Sequence, residues 1–80
     1  MPKLIKLSGQ DVVKIFSGFG FLMASQKGSH IKLKRVLPND MKQILTVPNH
    51  KDLDIGTVRA IYRQALRYIP ESELYPHFYS

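Results

Sequence analysis

His30 stands in the run QKGSHIKLKR (Gln26 to Arg35), just after a Gly-Ser pair and before lysines at alternate positions, Lys32 and Lys34. An imidazole titrates near neutral pH and can either take or give a proton. Ammonium groups beside it can offset negative charge that develops during a reaction. RNA is a substrate that needs little more, because each phosphate lies next to a nucleophile of its own, the 2′-hydroxyl. Cleavage then requires a base for that proton, an acid for the leaving oxygen, and cations for the phosphorane-like transition state. On residue type and spacing alone, an exposed strand histidine that binds phosphate or nothing is the commoner case, and both readings stay open. His50, after VPN, is a loop residue, or a second catalytic group if the chain folds back to the same face. His77 in the tail has no argued role.

Other chemistries find less support. The six acidic residues are dispersed and no two histidines have metal-ligand spacing, so no metal and no cofactor are implied. The absence of cysteine removes disulfides, thiolate zinc sites and a cysteine nucleophile, and fits a reducing compartment. Twelve Lys and Arg against six Asp and Glu leave a net charge of +6, an excess that points to a polyanionic partner. The longest apolar run, IFSGFGFLMA (Ile15 to Ala24), is broken by serine and glycines and falls short of the ~20 residues of a membrane span. The N-terminal MPKLIKLSGQ lacks the apolar core of a signal peptide, so a cytoplasmic location is expected.

The elements that must position these residues read as helix, three strands, helix. Ser8 and Asp11 have the spacing of a capping box, and Val12, Ile15, Phe16 and Phe19 follow at helical intervals until Gly18 and Gly20 end the run. FLMASQ and SHIKLKRV are two strands about a Lys27-Gly28 turn. LPND (Leu37 to Asp40) suits a type I turn, and the third strand KQILTV stops at Pro48. Asp54 caps a second helix whose stripe is Val58, Ile61, Ala65 and Ile69, ended by Pro70. The chain is a single domain over 1–80, with a core over about 7–69 and a C-terminal tail at 70–80 whose Tyr75, Phe78 and Tyr79 either pack on the domain or mark a partner surface.

Strand parity separates the two faces. Ile31 and Leu33 point one way, toward the helices, and His30, Lys32 and Lys34 the other. With a tight Lys27-Gly28 turn, Ser25, Met23 and Phe21 lie across from them on the open face. Leu45 and Val47 are expected inward, with an irregularity near Met41. The second helix adds a ridge of Arg59, Arg63 and Arg67. Together with Lys27, Lys32, Lys34, Arg35 and Lys42, it makes phosphate contact a better reading than a merely solvated surface.

Four segments in order carry a family resemblance. LSGQDVVKIFSGFGF (Leu7 to Phe21) resembles the opening helix and Gly-Phe exit of the HicA toxin family, and QKGSHIKL resembles its Gly-Ser-His signature. TVPNH (Thr46 to His50) and GTVRAIYRQA (Gly56 to Ala65) are similar to its Val-Pro-x-His and Gly-Thr-x-Arg-x-Ile-x-Arg-Gln-Ala segments. The resemblance implies an α+β, double-stranded-RNA-binding-domain-like α-β-β-β-α fold, a three-stranded antiparallel sheet with both helices on one face. It also implies the toxin of a type II toxin-antitoxin pair, a metal-independent ribonuclease (mRNA interferase) that cuts single-stranded mRNA and not DNA. A HicB-like antitoxin would neutralise it. The family's catalytic histidine falls on His30. Lys27, Gly28 and Ser29 would shape the turn that presents it. From the placement of charge, with that turn included, the RNA-binding residues are Lys27, Gly28, Ser29, Lys32, Lys34, Arg35, Arg59 and Arg63.

Two departures stand out. KDLDI, between His50 and Gly56, is shorter than in many members, which leaves His50 without an assigned role. The helix also runs on past RQA where the family often has glycine. A non-catalytic RNA-binding module of the same fold is the alternative, disfavoured because DIGTVRAIYR lacks the lysine cluster such modules carry at that helix start. An inactive paralogue acting only through its protein partner is a third reading.

Overall fold

Ser8 closes the capping box expected from its spacing. Its hydroxyl accepts from the Asp11 backbone N–H at 3.0 Å, and the Asp11 carboxylate accepts from the Ser8 N–H at 2.9 Å. Those bonds hold the Asp11 carboxyl below its usual range. In the computed structural model, which describes residues 2–80, this cap starts α1 (Gly9–Gly18). Then follow β1 (Leu22–Lys27), β2 (His30–Val36), β3 (Lys42–Pro48), α2 (Ile55–Ala65) and α3 (Glu71–Phe78). The strands form one antiparallel sheet in the order β1-β2-β3.

β2 pairs with β3 in unbroken register, setting Ile31 opposite Val47 and Leu33 opposite Leu45. All four side chains are buried. They meet Val12 and Phe16 from α1 and Val58, Ile61 and Ala65 from α2, so both helices cover one face of the sheet, as expected. Burying each such side chain fully contributes roughly 1.5–3 kcal/mol, which commits the odd-numbered positions of β2 to stability. The even-numbered ones face away from the core, with His30, Lys32 and Val36 exposed and Lys34 half-buried.

Four local features differ from the sequence reading. The first hairpin turns at Gly28-Ser29, one residue later than Lys27-Gly28, and Lys27 pairs with His30. Gly28 has φ +58° and Ser29 is not left-handed, the type II′ pattern that matches hairpin twist. Secondly, a bulge between Met23 and Ser25 inserts a residue into β1. Parity therefore changes toward the start of that strand, and Phe21 is buried against Phe16 rather than set on the open face. Thirdly, α2 stops at Ala65, with Leu66 as its C-cap, instead of running on to Pro70. The irregularity expected near Met41 is present in the turn, where Asp40 takes φ +65° and its N–H donates to Leu37 O at 2.9 Å, and Leu45 and Val47 face inward.

The fourth difference is the tail. Residues 71–78 form a helix that inserts Leu74 and Phe78 into the core, which therefore runs on past Ile69. Phe78 packs on Phe16 and Tyr62 with ring centroids 6.0 and 5.3 Å apart. Lys3 and Ser80 exchange two backbone hydrogen bonds, closing the N-terminal segment onto the end of the chain.

Candidate functional site

His30 opens β2 with its side chain exposed, between Lys27 on β1 and Pro48 on β3. The next row on the same face is Ser25, Lys32 and Thr46, and the one after is Leu22, Lys34 and Ile44. Alternate residues of a strand lie about 6.8 Å apart. The imidazole and two ammonium groups therefore form a line along one exposed strand face.

Long-range bonds fix the turn that carries His30. The Ser29 carbonyl accepts from the Asn49 backbone N–H, and the Asn49 side-chain oxygen accepts from Gln10 Nε2 at 2.8 Å. Gly9 N–H donates to the His50 carbonyl at 2.8 Å. Gly9 must be glycine for this contact, because a Cβ there would overlap the Pro48 carbonyl oxygen and come within 2.8 Å of Asn49 Cα. The start of α1, the loop after β3 and the catalytic-candidate turn are thus laced together. Gly28 itself has open space around it.

A groove of about 390 Å³ opens beside His30, between the β3 side of the sheet and α2. Thr46 and Pro48 line it on the strand side, and Thr57, Ala60 and Gln64 on the helix side. β3 is an edge strand, so the outward backbone groups of Thr46 have no ladder partner. Gln64 supplies one: its Oε1 accepts from Thr46 N–H at 3.0 Å, and its Nε2 lies 3.4 Å from Thr46 O. Asp54 at the groove's end caps α2, accepting from Thr57 N–H at 2.7 Å. That backbone bond holds its carboxyl below the usual range, so the group stays ionised.

Not every expected residue gathers here. Arg35 belongs to the fold: its guanidinium donates to Gln43 Oε1 (2.8 Å), Phe19 O (2.8 Å) and Tyr68 O (3.0 Å) and lies 4.6 Å from the centre of the Phe21 ring. With three bonds to the protein's own acceptors it is not placed for phosphate contact, which corrects the sequence reading. Arg59 is exposed but lines a separate cleft with Lys3, Ile55 and Tyr79, away from His30. Arg63 is exposed in the last turn of α2 and is not part of the groove lining. His50 is an exposed loop residue, and His77 packs edge-on against Phe19 at 5.4 Å. Among the described residues, no three His, Asp or Glu side chains come together as a metal-binding group.

Sequence reasoning missed Gly9, Gln10, Asn49 and Gln64. Each acts through a partner distant in the chain. The only available signal was their place inside the family-like segments LSGQ, TVPN and YRQA, which does not say what they touch. Among the described residues, no helix is long and apolar enough to cross a membrane. Residues 9–66, from α1 to the end of α2, match the family model for the HicA toxin of bacterial toxin-antitoxin systems. No curated protein matches the chain.

Proposed function

Since the chain belongs to the HicA toxin family of bacterial toxin-antitoxin systems, we propose that it acts as a metal-independent ribonuclease on mRNA, with His30 as the proton-transfer group. The observation that supports this most is the exposed His30 imidazole on a tied-down turn, in line with Lys32 and Lys34. His30 takes the proton of a 2′-hydroxyl as that oxygen attacks the adjacent phosphorus. The bond from phosphorus to the 5′-oxygen breaks, and the leaving oxygen is protonated by the imidazolium so formed or by water. The products are a 2′,3′-cyclic phosphate and a 5′-hydroxyl end. Lys32 and Lys34 hold the phosphate and offset its developing charge, and Lys27 adds to the same cationic surface. DNA is not cut, because it lacks the attacking hydroxyl. The family implies a cognate antitoxin, and the partner in this reading is a HicB-like protein.

The test is His30→Ala, read by a thermal melt and a single-turnover cleavage rate in EDTA. An exposed strand position contributes little packing, so stability should change by no more than about 1 kcal/mol. Loss of a general acid or base should slow cleavage by roughly 100-fold or more. An unchanged rate would leave His30 an ordinary strand histidine. Activity abolished by chelation and restored by magnesium would sink the mechanism.

A further inference from the structure

The groove beside His30 is larger than proton transfer requires. Its volume of about 390 Å³ falls in the roughly 300–1,000 Å³ range of small-ligand sites. Its walls are apolar at Pro48, Ala60 and Ile61, with polar groups at Thr46, Thr57 and Asp54. That composition suits a flat heterocycle with polar edges better than it suits a phosphate. Phosphates have a cationic path of their own, along Lys32 and Lys34 on the open face.

We propose that this groove receives the nucleobase of the nucleotide whose 2′-hydroxyl attacks, with Ala60 as its floor and Gln64 as the residue that holds it open. The inference rests on the ribonuclease reading of His30. Bond connectivity selects that base over its neighbour. The base is attached at C1′, next to the C2′ that carries the reacting hydroxyl, whereas the base on the leaving side is tethered through most of a second ribose. A group within reach of His30 at the 2′-oxygen therefore brings its own base to the groove that begins at His30.

Gln64 has a positioning role. By satisfying the free edge of β3 at Thr46, it sets the distance between the strand and α2. The groove is thus preformed before RNA arrives, and binding need not order it.

Ala60→Leu tests the idea. Ala60 is exposed, and leucine is nearly as good a helix former as alanine, so the added side chain fills the groove with little disturbance to α2. Two RNAs with one scissile phosphate are compared. One is intact, and the other keeps the attacking ribose and its 2′-hydroxyl but lacks its base. Wild-type protein should cut the intact RNA at least tenfold faster than the abasic one. Ala60→Leu should lose that advantage, cutting both at the slow rate. This is a thermodynamic cycle in which groove and base account for one another. An Ala60→Leu penalty of equal size on both RNAs, or no penalty on either, overturns the base site and leaves His30 catalysis standing. The wild-type comparison needs no variant: equal rates on the two RNAs overturn it too. Wild-type protein that cuts neither RNA removes the ribonuclease reading, and the base site with it.

Discussion

Replacing Gly9 with alanine adds one methyl at a place with no room for it. The new Cβ would overlap the Pro48 carbonyl oxygen and lie 2.8 Å from Asn49 Cα and 3.0 Å from His50 N. All three are backbone atoms, so no rotamer change relieves the contact. α1 and the 48–50 loop must separate instead. Overpacking of this kind costs roughly 1–3 kcal/mol, and losing the bond from Gly9 N–H to His50 O adds about 0.5–1.5 kcal/mol. Lower entropy of the unfolded chain returns roughly 0.4–1 kcal/mol. The net is a loss of about 2 kcal/mol, which in a domain of this size lowers Tm by roughly 8–16 °C. Gly18→Ala is the control. It is the same change in the same helix, but nothing lies within 4 Å of the new Cβ, so stability should hold or rise slightly. Thermal melts of the two variants decide it. A Gly9→Ala protein as stable as the wild type would mean that the loop is not pinned to α1, and the account of how the His30 turn is held would fall with it.

Lys32→Ala and Arg35→Gln should behave as opposites. The lysine variant should keep its melt within about 0.5 kcal/mol while its salt dependence of RNA binding shallows by about one counterion. The arginine variant should lose roughly 2 kcal/mol or more of stability with the salt slope little changed, and the reverse pattern would return Arg35 to the RNA surface. At high pH the buried Tyr62 should dominate. Burial first, then its hydrogen bond to Glu71 at 2.9 Å, push its hydroxyl from 10.0 up to about 12. The unfolded chain therefore releases that proton first, and the associated stability, intact below about pH 10, is lost as pH rises toward about 12. Tyr62→Phe should lack this component of the alkaline fall in melts across that window, and an identical fall would assign it to other groups.

Much of the fold was legible because its signals are local or periodic. The Ser8/Asp11 spacing, the Val58-Ile61-Ala65 stripe and the alternation from His30 to Lys34 each depend on neighbours a few residues away. The bulge in β1 has no such mark. One inserted residue reverses which way Phe21 faces, and nothing in FLMASQ announces it. α3 was hidden for another reason. Leu74 and Phe78 have helical spacing, but Pro76 lies between them, and together with Pro70 at the start of the segment it reads as a breaker. Arg35 looked like every other cation beside it, because the three acceptors that claim it come from α1's exit, β3 and the segment after α2. The shared face of His30, Lys32 and Lys34 was legible, because parity alone decides it. The groove was not, since it depends on where α2 sits beside the sheet.

That position is set from two sides of the same helix. On one side Tyr62 packs against Phe78 and donates to Glu71, so α3 anchors α2 in the core. On the other, Gln64 bonds the free edge of β3, while Thr57 and Ala60 face the groove. α3 lies outside the segment that matches the family, yet it bears on the site through one shared helix. The His30 turn is held by Asn49 and the close approach of Gly9 at the start of α1. α3 meets that helix as well, at its other end, where Phe78 packs on Phe16 and His77 on Phe19. Changes in α3 therefore bear on the groove through α2 and on the turn through α1.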